Sequence, residues 1–168
     1  MSVFKDLARS RTQEISKVTH LLRPEPQPEK KPKKSRLETA LENVQPSYKA
    51  YTGKKDRIMC SLTRDNIAFV AAGVALGKKD VEAINEAVDG RRAMEKAGVM
   101  PREVKYTFNV LQKGGRHLTT VSLSKENLVY LTEYQEREAL KTSTALNKII
   151  DEYRAALDEL AKKGKPSE

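Results

Sequence analysis

The sequence predicts a mainly α-helical protein with a short antiparallel β-ribbon, built from two copies of one strand–helix–helix unit. The ten residues from Ser61 to Val70 return as the ten from Ser122 to Leu131, sixty-one positions later. Three of the ten are identical, and most of the others are exchanged like for like. A single unit of this kind cannot bury its strand and its apolar helix faces alone. Two units can do so if their strands pair, and we therefore expect one domain made of both copies.

Residues 1–50 are predicted to form a flexible basic arm outside the core. A Pro- and Lys-rich run from Arg23 to Lys34 contains no hydrophobic residue, and such a composition cannot bury a core. A short helix is expected within the arm at 36–44, with Leu37 and Leu41 on one face.

The first unit is placed at residues 51–98. Arg57–Leu62 alternates as a strand does, and Thr63 is a good N-cap for a helix that should run to about Leu76. Gly77–Lys79 breaks this helix, and a second one is expected from Asp80 to about Lys96.

The second unit, residues 117–162, follows the same pattern. Leu118–Leu123 should be a strand, and Ser124 should cap a helix that runs to about Leu140. Lys141–Thr144 is predicted to be a turn, and the last helix should reach about Ala161. The connection at 99–116 contains Lys105–Leu111, which alternates like an extra strand, and a glycine pair that would fold it back as a hairpin.

The period of two divides the ribbon into two faces. Leu62 and Leu123 end their strands and should point into the core, and Cys60 shares their face. The outward face should then carry Arg57, Met59 and Ser61 from one strand and Leu118, Thr120 and Ser122 from the other.

These elements resemble the ribbon–helix–helix DNA-binding superfamily, which includes Arc, MetJ and CopG. The features that carry the resemblance are a short strand ending in Leu, a Ser or Thr at the helix start, a polar turn and a second helix, over about residues 53–161. The resemblance implies a tandem ribbon–helix–helix pseudo-dimer in one chain, similar to the single-chain forms of a conjugation protein and of a T-DNA border-binding virulence accessory protein. It also implies that the ribbon enters the major groove and that its outward side chains read the bases. Arg57 would bind guanine, and Met59 and Leu118 would contact thymine methyl groups.

Phosphate contacts are expected at two kinds of place. The resemblance implies the start of each second helix, where free N–H groups and the helix dipole favour an anion. Basic residues just before the strands would hold the flanking backbone. The predicted phosphate-binding residues are Lys54, Lys55, Lys78, Lys79, Arg116, Thr142, Ser143 and Thr144.

The net charge, the cysteine content and the motifs of the chain limit the classes of function that we expect. The net charge of +9 favours a polyanionic partner. One cysteine and the lack of a long apolar run indicate a protein of the cytoplasm that does not enter a membrane. His20 and His117 lie far apart without neighbouring metal ligands, and no catalytic motif is present. We therefore expect no metal, no cofactor and no enzymatic activity.

Double-stranded DNA is the expected partner, and the resemblance favours an accessory role in plasmid or conjugative DNA processing. The alternatives are a transcriptional repressor and a plasmid-partition adaptor. An ATPase or a relaxase would engage the arm, which includes Arg9 and Arg11. A further alternative is a protein-interaction module without DNA readout. The first helix of the first unit is apolar nearly all round, which predicts either self-association through Phe69 and Ala72 or coverage of this surface by the arm or by the connection at 97–116.

Overall fold

Five α-helices and one two-stranded sheet form the part of the chain that the computed structural model describes, residues 33–47, 56–109 and 117–163. These elements confirm a mainly α-helical fold with a short antiparallel ribbon. In chain order they are α1 (Arg36–Glu42), β1 (Asp56–Leu62), α2 (Arg64–Ala75), α3 (Asp80–Lys96), β2 (His117–Leu123), α4 (Lys125–Glu138) and α5 (Thr142–Lys163).

The ribbon pairs β1 with β2 in antiparallel register, with Met59 opposite Thr120. One face of the ribbon covers the core, as the alternation predicted, and the residues buried there are Cys60, Leu62, Val121 and Leu123. Burial raises the pKa of the Cys60 thiol to about 11. The thiol is therefore protonated at neutral pH and acts as a small apolar side chain.

The predicted helix starts after each strand are confirmed. The Thr63 hydroxyl accepts a hydrogen bond from the Asn66 N–H, and the Ser124 hydroxyl accepts one from the Asn127 N–H. Each cap satisfies one of the N–H groups that a helix start leaves without a partner. The apolar faces of the helices then meet under the ribbon through Val70, Ile84, Val88, Leu131, Leu146, Ile149 and Ile150.

The predicted turn at Lys141–Thr144 is wrong, because α5 already begins at Thr142. The Thr142 hydroxyl accepts from the Gln135 side chain (2.9 Å), and the Ser143 hydroxyl accepts from the Ser61 N–H (2.9 Å). These hydroxyls bind neighbouring elements instead of shaping a turn, and the chain reverses earlier, where Ala139 adopts a φ of 50°.

The predicted strand at Lys105–Leu111 is also wrong over its described residues. Thr107–Asn109 forms a single 3₁₀ turn. The Thr107 N–H donates to the Asp151 carboxylate (2.8 Å), so this backbone donor is taken by a side chain rather than by a neighbouring strand. Residues 110–116, with the predicted hairpin turn, lie outside the described residues.

Helices α3 and α5 cross closely beside the core. A Cβ atom on Gly90 would lie 2.3 Å from Cε2 of Tyr153, so the tyrosine ring occupies the space that a larger side chain would need. Adjacent to this contact in both helices, Arg91 forms a buried ion pair with Glu152. The contact between α3 and α5 therefore combines the close packing of Tyr153 on Gly90 with the ion pair beside it.

The predicted arm is corrected at its C-terminal part, because residues from Lys34 to Ser47 belong to the folded unit. Ser35 and Glu38 form a reciprocal capping box that starts α1. Leu37 is only 4% exposed and packs against α3 and α5. The Ser47 N–H and hydroxyl both donate to Asp89 (3.0 and 2.7 Å). The composition of this segment did not predict its folding, because its few apolar side chains are buried by residues that are distant in sequence.

This packing predicts different outcomes for two deletions. Removing residues 1–33 should leave the free energy of unfolding nearly unchanged. Removing residues 1–45 should lower it by about 2–4 kcal/mol, because the loss of Leu37 also uncovers the Met94 side chain. Urea denaturation of both variants measures the difference. Equal midpoints for the two deletions would show that α1 adds nothing to the core.

Candidate nucleic-acid interface

The outward face of the ribbon is set by the strand register. Arg57 lies opposite Ser122, Met59 opposite Thr120, and Ser61 opposite Leu118. Met59 and Leu118 are 67% and 66% exposed, so this face presents two large apolar side chains to solvent. Arg57 and Thr120 are also exposed, and Ser61 is half-buried.

Ser122 differs from the other five predicted base-reading residues. It lies on the same face by alternation, but the residue is only 9% exposed. Its surface is therefore too small for direct contact with a base edge. The surface available for readout consists of Arg57, Met59, Leu118 and Thr120, with Ser61 at its edge.

The starts of α3 and α5 differ in their electrostatics. In α3, the Lys79 N–H donates to the Glu82 carboxylate (3.1 Å), and the Lys78 ammonium group pairs with Glu86. Acidic groups thus already occupy this helix start. The first turn of α5 has no acidic residue. An anion would therefore meet less repulsion at α5 than at α3.

The other predicted phosphate residues fall into two groups. Thr142, Ser143 and Thr144 are half-buried in the first turn of α5, and two of their hydroxyls accept the bonds described above. Lys54, Lys55 and Arg116 lie outside the described residues.

A buried asparagine anchors the end of each strand. The Asn147 side chain accepts from the Thr63 N–H (2.9 Å) and donates to the Ser61 carbonyl (2.7 Å). It also accepts from the side chain of Asn66 (2.9 Å). The strand end, the cap and both helices are thereby joined through one side chain.

The same set of bonds occurs at the other strand. Asn85 accepts from the Ser124 N–H (2.9 Å), donates to the Ser122 carbonyl (2.9 Å) and accepts from the Asn127 side chain (3.1 Å). In both copies the anchoring asparagine comes from the second helix of the other repeat. The ribbon is therefore held at both ends by buried amides.

Two buried carboxylates extend this arrangement. Asp151 accepts from the N–H and hydroxyl of Thr107, whose oxygen also lies 2.7 Å from the Thr63 hydroxyl. Asp89 binds Ser47 in the same way, and the Ser47 hydroxyl lies 2.7 Å from that of Ser124. Burial raises the pKa of the Asp151 carboxyl, while the hydrogen bonds from Thr107 act in the opposite direction.

We did not predict these asparagines and aspartates from the sequence, although a signal for them exists. The pattern Asn, Asp four residues later and Arg three residues after that occurs at 85–92 and again at 147–154. The two copies differ at one point. The Asn66 Oδ1 accepts from Arg154 (2.9 Å), whereas the matching Oδ1 of Asn127 is buried without a partner within the described residues.

We also searched the described residues for metal-ligand groups and for membrane-spanning helices. In residues 33–47, 56–109 and 117–163, no three His, Cys, Asp or Glu side chains are grouped as metal ligands would be. No helix in this part of the chain is both long and apolar enough to cross a membrane. Comparison of the chain with protein-family models, curated proteins and solved structures finds no match.

Proposed function

We propose that this protein binds double-stranded DNA by inserting the β1–β2 ribbon into the major groove. The observation that carries the proposal is an exposed ribbon face bearing Arg57, Met59, Thr120 and Leu118, whose strand ends are hydrogen-bonded from below by two buried asparagines. A two-stranded ribbon fits the major groove, and these side chains match its donors, acceptors and thymine methyl groups. The chain is thus proposed to be a binding protein without catalytic activity.

The proposal includes a tandem ribbon–helix–helix pseudo-dimer. Met59 faces Thr120, and these residues hold the same position in the two copies of the repeat, sixty-one residues apart. An antiparallel pair related by a two-fold axis has such a self-matched position where the axis crosses it. Asn85 of the first copy binds the end of β2, and Asn147 of the second copy binds the end of β1. The same two-fold axis would relate these two sets of hydrogen bonds.

Phosphate binding is proposed chiefly at the start of α5, because acidic groups occupy the start of α3. The basic arm would add contacts without sequence preference. Deleting residues 1–33 should therefore weaken non-specific binding and flatten its salt dependence.

For the biological role, we favour an accessory function in plasmid or conjugative DNA processing, by the resemblance described above. A repressor or a partition adaptor is the alternative, with an ATPase or relaxase bound by the arm. Arg9 and Arg11 lie outside the described residues, so the arm's partner stays a prediction.

Protein interaction through α2 is the second candidate function. Leu76 is 83% exposed, and Ala72 is exposed beside it. Phe69 is less available than we predicted, because it is partly buried and its ring packs edge-on against Tyr153 (6.2 Å between centroids). Self-association would therefore use Ala72 and Leu76 rather than Phe69.

Fluorescence anisotropy tests the DNA proposal. Selection from a random duplex pool should enrich one sequence, and binding to it should weaken steeply with salt. Thr120→Ala should then cost about 1–3 kcal/mol of specific binding free energy and leave the thermal unfolding unchanged. Thr132→Ala is the control, because Thr132 is exposed on α4. If both variants bind the selected duplex like the parent, the ribbon is not the reading element.

A further inference from the structure

The outward face of the ribbon has different chemistry at its two ends. One end carries Arg57 beside the nearly covered Ser122, and the other carries Leu118 beside Ser61. Arg57 and Leu118 hold the same position in the two copies of the repeat. A symmetric ribbon would present one residue type at both ends, whereas this ribbon presents a cation at one end and an apolar side chain at the other.

We infer that the DNA target is directional, with a guanine under the Arg57 end and a thymine under the Leu118 end. This inference rests on the proposed function and specifies the ligand of the same surface. Neighbouring outward residues of one strand are about 6.7 Å apart, which is close to two base-pair steps. Arg57 and Ser61 mark the two ends of β1 and are separated by two such intervals. The two ends of the ribbon face are therefore about four base pairs apart.

The chemistry of each end supports its assignment. A guanidinium group binds the O6 and N7 atoms of guanine with two hydrogen bonds, and no other base offers that pair of acceptors in the major groove. A leucine side chain can only make apolar contact, for which the thymine methyl group is the partner. Against G·C, Leu118 would desolvate the polar atoms of the base edges without replacing their hydrogen bonds.

The helix starts add a second difference between the ends. The Ser61 N–H donates to the Ser143 hydroxyl, which places the start of α5 at the Leu118 end. The Asn85 side chain, one turn into α3, donates to the Ser122 carbonyl and so places α3 at the Arg57 end. Phosphate would be held best at the Leu118 end, where the start of α5 has no acidic residue. At the Arg57 end the start of α3 is acidic, and the guanidinium group supplies the positive charge there.

The test uses the full chain and three duplexes. One is the sequence selected from a random pool, and the other two are palindromes made by duplicating each half of it. The parent protein should bind the selected duplex roughly tenfold or more tightly than either palindrome, since one favourable base contact is lost or replaced in each. Leu118→Arg should reverse the preference toward the palindrome of the guanine-containing half, because it places an arginine at both ends.

Val129→Arg is the matched control for added charge, because Val129 is 49% exposed and belongs to α4 rather than to the ribbon. It should raise affinity for all three duplexes by a similar factor. A selected sequence that is itself palindromic, or a Leu118→Arg variant that folds and keeps the parent's preference, overturns the inference while DNA binding stands. Failure to enrich any sequence overturns the proposed function, and the inference with it.

Discussion

Replacing Arg91 with methionine should lower the free energy of unfolding by about 3–5 kcal/mol, because it leaves Glu152 charged and buried without its partner. The Arg91 and Glu152 side chains are 8% and 3% exposed. Glu152 also accepts from the Tyr106 hydroxyl (3.0 Å), but this neutral donor cannot replace the cation. The pair joins α3 to α5, so its loss weakens the contact between the two copies of the repeat.

Urea denaturation of three variants measures this effect. Arg137→Met is the control, since Arg137 is 48% exposed and its pairing with Glu95 should contribute less than about 1 kcal/mol. The double variant Arg91→Met with Glu152→Gln should recover much of the loss, because it removes the buried charge and keeps an acceptor for Tyr106. If Arg91→Met unfolds at the same urea concentration as Arg137→Met, the ion pair does not hold the crossing.

Replacing Asn147 with alanine should lower the free energy of unfolding by about 2–5 kcal/mol. The substitution removes the acceptor of the Thr63 N–H and the donor to the Ser61 carbonyl. Each buried backbone group left without a partner costs about 1–3 kcal/mol. The end of β1 should also exchange its amide hydrogens faster, since the cap and the strand lose their common anchor.

The second copy of the repeat supplies a matched comparison for this prediction. Asn85→Ala removes the corresponding bonds at the end of β2 and should cost a similar amount. Asn43→Ala changes an exposed position at the end of α1 and should have little effect. Chemical denaturation together with hydrogen exchange at the Thr63 amide distinguishes the three variants. An Asn147→Ala variant as stable as Asn43→Ala would show that water replaces the amide without cost.

Local chemistry made much of the fold predictable from the sequence. The helices that follow Thr63 and Ser124 were predicted because a capping hydroxyl and a nearby acid act within one turn. The start of α3 was predicted because Gly77–Lys79 was expected to end the preceding helix. In contrast, α1 was left in the arm, because its burial depends on partners more than fifty residues away along the chain.

The residues of the candidate site could be predicted only where strand alternation determines which side chains point outward. The period of two placed Met59 and Leu118 outward, where the structure has them exposed. It could not show that Ser122 is covered, because burial at a ribbon end depends on neighbouring elements. The anchoring asparagines were missed for a related reason. On an apolar helix stripe, Asn85 and Asn147 look like interruptions until the strand ends that they bind are known.

The pairing of β1 with β2 within one chain has a consequence for cellular abundance. A ribbon shared between two separate chains is lost when the protein becomes scarce, because its formation depends on subunit concentration. Here the two strands are covalently connected, so each supplies the other at a fixed effective concentration. A single molecule in a cell therefore carries a complete ribbon, and dilution does not dismantle it.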